Sequence, residues 1–305
     1  MKSPSDIFMK ISKKRLLEIA EVLLIVILCA SFAYIFVNKV LDIRSERSLK
    51  KLQDSVHAVR NIDRGITIHR DKDDPEEEPD EGTAGISGDQ SESNETTLLT
   101  DRDIDYSAVA AVYKDIHDEN NDFAGWLLID GTTIDYPVMQ GPDNEFYLSH
   151  NLQKTYDKYG MLVLDVKSDR SKSSPHLIIY GHNVHNGDLF GELINYKDEK
   201  YYEYHPEIIF DDVLESSTYR IFAVLRTSVE EAQESEKLFT TYFYEDEDSF
   251  KDMLSWVKER ALYDMDYEPS YGDEIISLVT CEYTKENGRF VVMAAKVNEE
   301  KETKN

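Results

Sequence analysis

Cys281 closes a β-rich run, Glu274-Ile275-Ile276-Ser277-Leu278-Val279-Thr280-Cys281. The other cysteine, Cys29, sits inside an N-terminal apolar run. With that run in a membrane, Cys281 is the one thiol beyond it, and an intramolecular disulfide is excluded. An inert core residue, a partner-linking thiol and a nucleophile remain. A nucleophilic thiol needs a partner that lowers its pKa or takes its proton, and histidine is the usual one. His182 follows an apolar strand that ends in glycine, Ile178-Ile179-Tyr180-Gly181-His182-Asn183, which fixes a side chain at a barrel rim. An acyl-transfer nucleophile also needs a donor for the oxyanion. Arg289 begins the strand after the Cys281 loop, and antiparallel pairing would return its planar guanidinium to the thiol. Spacing alone favours a surface arginine beside a hairpin.

The other histidines carry weaker cases. His57 and His69 precede an acidic spacer, and His117 falls on the polar side of a helical pattern. His150, His176 and His205 stand singly near strand or loop ends, where a satisfied structural role is expected. His185 lies in a polar loop with Asn186 and Gly187 and is expected to face solvent. His182 and His185 have metal-like spacing, but no Cys, Asp or Glu cluster completes a four-ligand set, so no zinc is expected. There is no phosphate-binding glycine loop, and no cofactor is implied.

The elements that must position these groups come from short β-rich runs at 126–129, 134–138, 161–164, 177–180, 208–210, 219–225, 275–279 and 290–297, with Gly131, Gly141, Gly160, Gly181 and Gly272 between them. Eight short strands in under 200 residues point to a closed or nearly closed barrel. A helical pattern over 105–120 precedes them. Phe250, Met253, Leu254, Val257, Ala261 and Leu262 predict a long helix over 247–263, inserted before the cysteine strand.

The chain is strongly acidic, with a net charge of −27, which argues against a nucleic-acid partner. Residues 16–37 are apolar over about the 20 residues that a spanning helix needs. A cleaved signal peptide competes, but no small-x-small site follows the run, so a retained anchor is favoured. Lys10, Lys13, Lys14 and Arg15 keep residues 1–15 cytoplasmic and send the C-terminal part outside, giving a single-pass protein with an extracellular domain. The region 38–70 reads as a juxtamembrane stalk. Leu49, Leu52, Val56 and Val59 predict an amphipathic helix within it. Residues 71–97 hold eleven acidic residues against Lys72 alone, with Pro75 and Pro79, and read as a disordered spacer that holds the domain off the membrane. A globular domain is assigned to 98–298, with a polar tail at 299–305.

Leu278-Val279-Thr280-Cys281, the Gly181-His182 pair 99 positions before the cysteine, and Arg289 on the next strand together resemble a sortase, a membrane-anchored cysteine transpeptidase of Gram-positive bacteria. Gly125-Trp126-Leu127, Ile134-Asp135-Tyr136-Pro137-Val138, Gln140, Asp143-Asn144, Tyr147-Leu148, Tyr180-Gly181-His182-Asn183 and Phe190 are similar to class B members. The resemblance covers about 105–297. It implies a mainly β fold with helices: a closed eight-stranded sortase-type barrel with an N-terminal helix and a long helix before the cysteine strand. Ser277 replaces the usual first Thr of the signature, Val279 fills a position where some class B members carry serine, and the loop from Cys281 to Arg289 looks short.

The resemblance also implies roles. Cys281 would attack the threonine carbonyl in a C-terminal sorting motif of a secreted protein, forming a thioester acyl-enzyme. His182 would serve as general acid and base, and Arg289 would bind the oxyanion or a substrate carbonyl. Leu278, Thr280 and Asn183 would line the substrate. An amine of cell-wall (peptidoglycan) precursor or a pilin lysine would accept the protein. Two other classes fit the same residues: an extracellular cysteine hydrolase, and a non-enzymatic surface receptor with a buried cysteine.

Overall fold

The computed structural model describes residues 13–64, 106–172, 175–235 and 238–297. The expected spacer at 71–97 and the tail at 299–305 lie outside the described residues. Two helices come first, α1 (Lys13–Arg64) and α2 (Tyr106–Glu119). The strands are β1 (Phe123–Leu128), β2 (Asp135–Met139), β3 (Leu162–Leu164), β4 (His176–Tyr180), β5 (Glu207–Asp211), β6 (Ser216–Ser228), β7 (Ile275–Cys281) and β8 (Gly288–Lys296). They close into a barrel in the order β1-β2-β3-β4-β7-β8-β6-β5. Short helices α3 (Glu199–Tyr204) and α4 (Val229–Glu234) and the longer α5 (Glu247–Lys258) fill the long excursion between β4 and β7.

Burial on both faces explains why the strands read as continuous apolar runs rather than alternating ones. On β7, Ile276 and Leu278 face the barrel interior with Leu177, Ile179, Phe290 and Val292. Ile275 and Val279 face outward beneath α5, against Met253, Trp256 and Val257. Asp246 caps α5, its carboxylate accepting from the Ser249 backbone at 2.7 Å. The helix stops at Lys258, short of the expected 263. Leu262 instead donates its backbone N–H to Val224 at 2.8 Å, so the chain after α5 runs along the edge of β6.

The amphipathic helix expected in the stalk is the far half of a longer one. Its apolar stripe continues the N-terminal apolar helix without a break and lies on the barrel. Val56 is buried with Val109, Tyr113 and Trp126, and Leu52 and Val59 pack at the margin. Arg60 reaches the Asp211 carboxylate and the Tyr113 hydroxyl. His57 pairs with Asp135, which also accepts from the Trp126 indole at 2.6 Å. An amphipathic stripe needs an apolar partner, and here the barrel supplies it. The separation of the barrel from the apolar half of α1 is therefore set by α1 itself.

A polar lock joins the start of β4 to β7. His176 is wholly buried, its Nδ1 donating to the Thr241 carbonyl at 2.9 Å and its Nε2 accepting from Ser277 Oγ at 2.7 Å. The serine that departs from the family signature thus has a defined partner. Burial depresses the His176 pKa from 6.5 to about 4. The unfolded chain then binds more protons below pH 6.5, so this contribution is complete above that pH and is lost as pH falls through about 4. Denaturant unfolding at pH 7.5 and pH 5, compared with a His176→Asn variant, is expected to show the wild-type advantage shrinking by about 2 kcal/mol at the lower pH. An advantage that does not change with pH would contradict the buried neutral imidazole.

Candidate active site

Parallel pairing of β4 with β7 sets two chain segments side by side. The register runs from His176 opposite Ile275 to Tyr180 opposite Val279, and Gly181 continues it by donating to the Val279 carbonyl at 3.1 Å. One step further, His182 leaves β4 where Cys281 ends β7. Gly181 is required there, since a Cβ would lie 2.5 Å from Leu162 and 2.6 Å from Phe190. On the other flank, β8 is antiparallel to β7 with Arg289 opposite Cys281. Glu282 donates its N–H to the Gly288 carbonyl at 3.0 Å. The neighbouring Cys281–Arg289 pair is then of the kind whose side chains approach most closely. Both residues share the outward parity of Val279 and Val291. Cys281, His182 and Arg289 are each partly exposed.

Two hydrogen bonds fasten the histidine loop to the cysteine strand. Thr280 Oγ1 donates to the Gly181 carbonyl at 2.8 Å, and Asn183 Nδ2 donates to the Cys281 carbonyl at 2.9 Å. The imidazole is held from a third direction. His182 Nε2 lies 2.8 Å from the Leu148 carbonyl. A carbonyl can only accept, so Nε2 carries the hydrogen and Nδ1 is left to exchange a proton. The Leu148 carbonyl is itself braced. Tyr147 beside it is buried, with its hydroxyl accepting from Asn120 at 2.8 Å and donating to Asp122 at 2.7 Å. Gly160, at φ +59°, passes so close that a Cβ would sit 2.3 Å from that carbonyl.

Asp165 organises the adjoining wall. It is almost fully buried, and one carboxylate oxygen accepts from Asn144 at 2.8 Å and from Tyr180 at 3.0 Å. Burial first, and then the Asp165 charge, push the Tyr180 phenol far above its ordinary pKa, while Arg289 pulls it down.

The three residues expected to carry chemistry meet at one barrel end. Those expected to line the substrate are placed differently. Leu278 has no exposure and belongs to the barrel interior, and Thr280 is 2% exposed with its hydroxyl spent on Gly181. Alternation along β7 forces both inward once Cys281 faces out. Asn183 is partly exposed, with its amide engaged by the Cys281 carbonyl. His185 is exposed, as expected, and His150 and His205 bond backbone carbonyls at 2.7 and 2.8 Å.

The sortase domain family matches residues 127–297. Sortase B of Listeria monocytogenes is 34% identical over 181 residues, covering 59% of this chain and 71% of that protein. The chain belongs to the class B sortases. Sortase B of Staphylococcus aureus is 28% identical over 177 residues, covering 57% of this chain and 70% of that one. A mutant form of Clostridium perfringens sortase B superposes with a TM-score of 0.58 at 26% identity, over 63% of this chain and 90% of that chain. This class B sortase has the eight-stranded closed barrel and the N-terminal helix that the resemblance implied.

Leu148, Gly160, Asp165 and Tyr180 had no assigned role from sequence. Tyr147-Leu148 was a class B likeness, but a backbone carbonyl leaves no residue-type signal. If Thr280 and Asn183 hold the His182 loop against Cys281, Thr280→Val and Asn183→Ala should each lower turnover by roughly 10–100-fold. Alkylation of Cys281 by a small electrophile should stay within about threefold of wild type, since neither substitution removes the thiol. Full turnover in both variants would show that the loop keeps its place without them.

Proposed function

We propose that this class B sortase acts on secreted proteins bearing a C-terminal sorting motif. The observation that carries the reading is the convergence of Cys281, His182 and Arg289 at the ends of β7, β4 and β8. Cys281 passes its thiol proton to His182 Nδ1, its sulfur attacks the threonine carbonyl of the motif, and a C–S bond forms. Arg289, opposite Cys281, donates to the oxygen that becomes negative. The peptide C–N bond then breaks, and the departing amine takes its proton from His182 Nδ1. An amine of cell-wall precursor, or a pilin lysine, attacks the thioester and gives a proton to His182, which passes it to the departing Cys281 sulfur. Covalent catalysis divides one hard transfer into two easier ones.

The N-terminal half of α1 suits a retained anchor. Its apolar stretch is exposed, with a mean hydropathy of 2.5 over the most apolar window. With the N-terminus cytoplasmic, the barrel stands on the outer face, where membrane-held substrates arrive. Thr280 and Asn183 act by positioning His182, and Leu278 by filling the barrel.

Incubation with a panel of threonine-containing sorting peptides and an amine acceptor tests the chemistry, read by mass spectrometry. An acyl-enzyme should form on Cys281, and the amine-ligated product should exceed the hydrolysed one. Cys281→Ala should form no adduct, and His182→Ala should lose roughly 100-fold or more in rate. Arg289→Lys keeps the charge but not the fork, and a loss of about 10²–10³ is expected. Transpeptidation by the Cys281→Ala protein would overturn the mechanism. Water outcompeting every amine would leave a hydrolase.

A further inference from the structure

The barrel meets α1 in a fixed order. Ser45 donates to Asp157, Leu49 borders a cavity with Tyr159 and Leu189, Gln53 and His57 engage Asp135, and Arg60 engages Asp211. From Ser45 to Arg60 the helix rises about 22 Å. The 149–160 loop is thus the part of the barrel that joins α1 nearest its apolar half, and the Asp211 end is furthest. The apolar run ends near Val37, so Ser45 stands about 12 Å beyond it. Headgroups occupy roughly 5–7 Å of that distance. The remainder falls within the Debye length of about 8 Å at physiological salt.

The chemistry of this end is opposite to that of the whole chain. Against a net charge of −27, the stretch 39–51 carries Lys39, Arg44, Arg47, Lys50 and Lys51 with only Asp42 and Glu46. The loop adds Lys154 and Lys158, and its one carboxylate, Asp157, is turned to Ser45. The loop is preorganised. Asn151 accepts from the Thr155 backbone at 3.1 Å and from its hydroxyl at 2.9 Å, and the Asp157 backbone N–H donates to the Ser149 carbonyl at 2.9 Å. Its tip presents Tyr156 at 67% exposure. Lys154 holds Asp122 at 2.9 Å while staying half exposed, and the Lys158 ammonium lies 4.6 Å above the Tyr159 ring. Amphipathic aromatic rings beside basic side chains are the composition of a membrane–water interface.

We infer that the 149–160 loop rests on anionic lipid headgroups of the bilayer that holds α1, through Tyr156, Lys154 and Lys158. The base of this loop is Leu148, whose carbonyl holds His182, so the contact sets the active site at the membrane surface. The inference rests on α1 spanning the bilayer, as proposed above.

The full chain in lipid nanodiscs tests it, with headgroup-nitroxide and acyl-chain-nitroxide lipids as quenchers. The native Trp126 and Trp256 are buried, and the signal of the unsubstituted chain is subtracted. Three variants are compared: Tyr156→Trp in the loop, Leu214→Trp beside the distal Asp211, and Phe32→Trp in the apolar half of α1. Headgroup quenching of Tyr156→Trp should be about twice that of Leu214→Trp, or more, in anionic discs. It should fall to the Leu214→Trp level in zwitterionic discs or with Lys154→Glu and Lys158→Glu added. Equal quenching at the two sites, with Phe32→Trp quenched by acyl-chain nitroxide, would overturn this inference and leave the anchor standing. An unquenched Phe32→Trp would overturn the anchor and the inference together. Loop quenching that ignores lipid charge and both lysine substitutions would overturn recognition of the headgroup charge.

Discussion

The site depends on the parallel pairing of β4 with β7. Two strands that enter the sheet about a hundred residues apart run in the same direction and end at the same barrel rim, in register. That pairing alone puts His182 beside Cys281. It is costly to form, because a long excursion must close before the first hydrogen bond is made. The His176–Ser277 bond and the wholly buried Ile178, Ile179, Ile276 and Leu278 supply what holds it. Arg289 needs no such closure, since a short hairpin returns it opposite the thiol.

Around that pairing the protein uses backbone carbonyls as its fixed points. The Gly181 carbonyl takes the Thr280 hydroxyl, the Cys281 carbonyl takes the Asn183 amide, and the Leu148 carbonyl takes the His182 imidazole. A carbonyl within a packed strand or loop cannot rotate away as a carboxylate can. The imidazole is oriented without placing a negative charge beside it, and Asp165, the nearby buried carboxylate, is occupied by Asn144 and Tyr180.

The barrel was legible because its strands are buried on both faces and punctuated by glycines. Each of the strand runs read from sequence has its counterpart in the barrel, with only the ends displaced. That Cys281, His182 and Arg289 lie side by side was legible because each ends or begins a strand run whose pairing brings it to the same rim. The supporting shell was not. Side-chain direction on β7 follows from which face Cys281 takes, and only the register reveals that Leu278 and Thr280 turn into the barrel. The docking of α1 was hidden for another reason. The stripe Leu49, Leu52, Val56, Val59 declares that a face is covered, but not by what. Its polar partners, Asp135 and Asp211, lie 78 and 151 positions from His57 and Arg60.

Helix α1 runs unbroken from the apolar segment to Arg64, and its far half is fastened to the barrel through a buried arginine. No swivel lies between the apolar half and the active site. Spanning helices lean by about 20° on average, and by more where the hydrocarbon is thin. Over the roughly 35 Å of rise from Val37 to Arg60, such a lean carries the top of the barrel sideways by about 12 Å. With α1 in a bilayer, membrane thickness becomes a mechanical input to the enzyme, steering where its cysteine points.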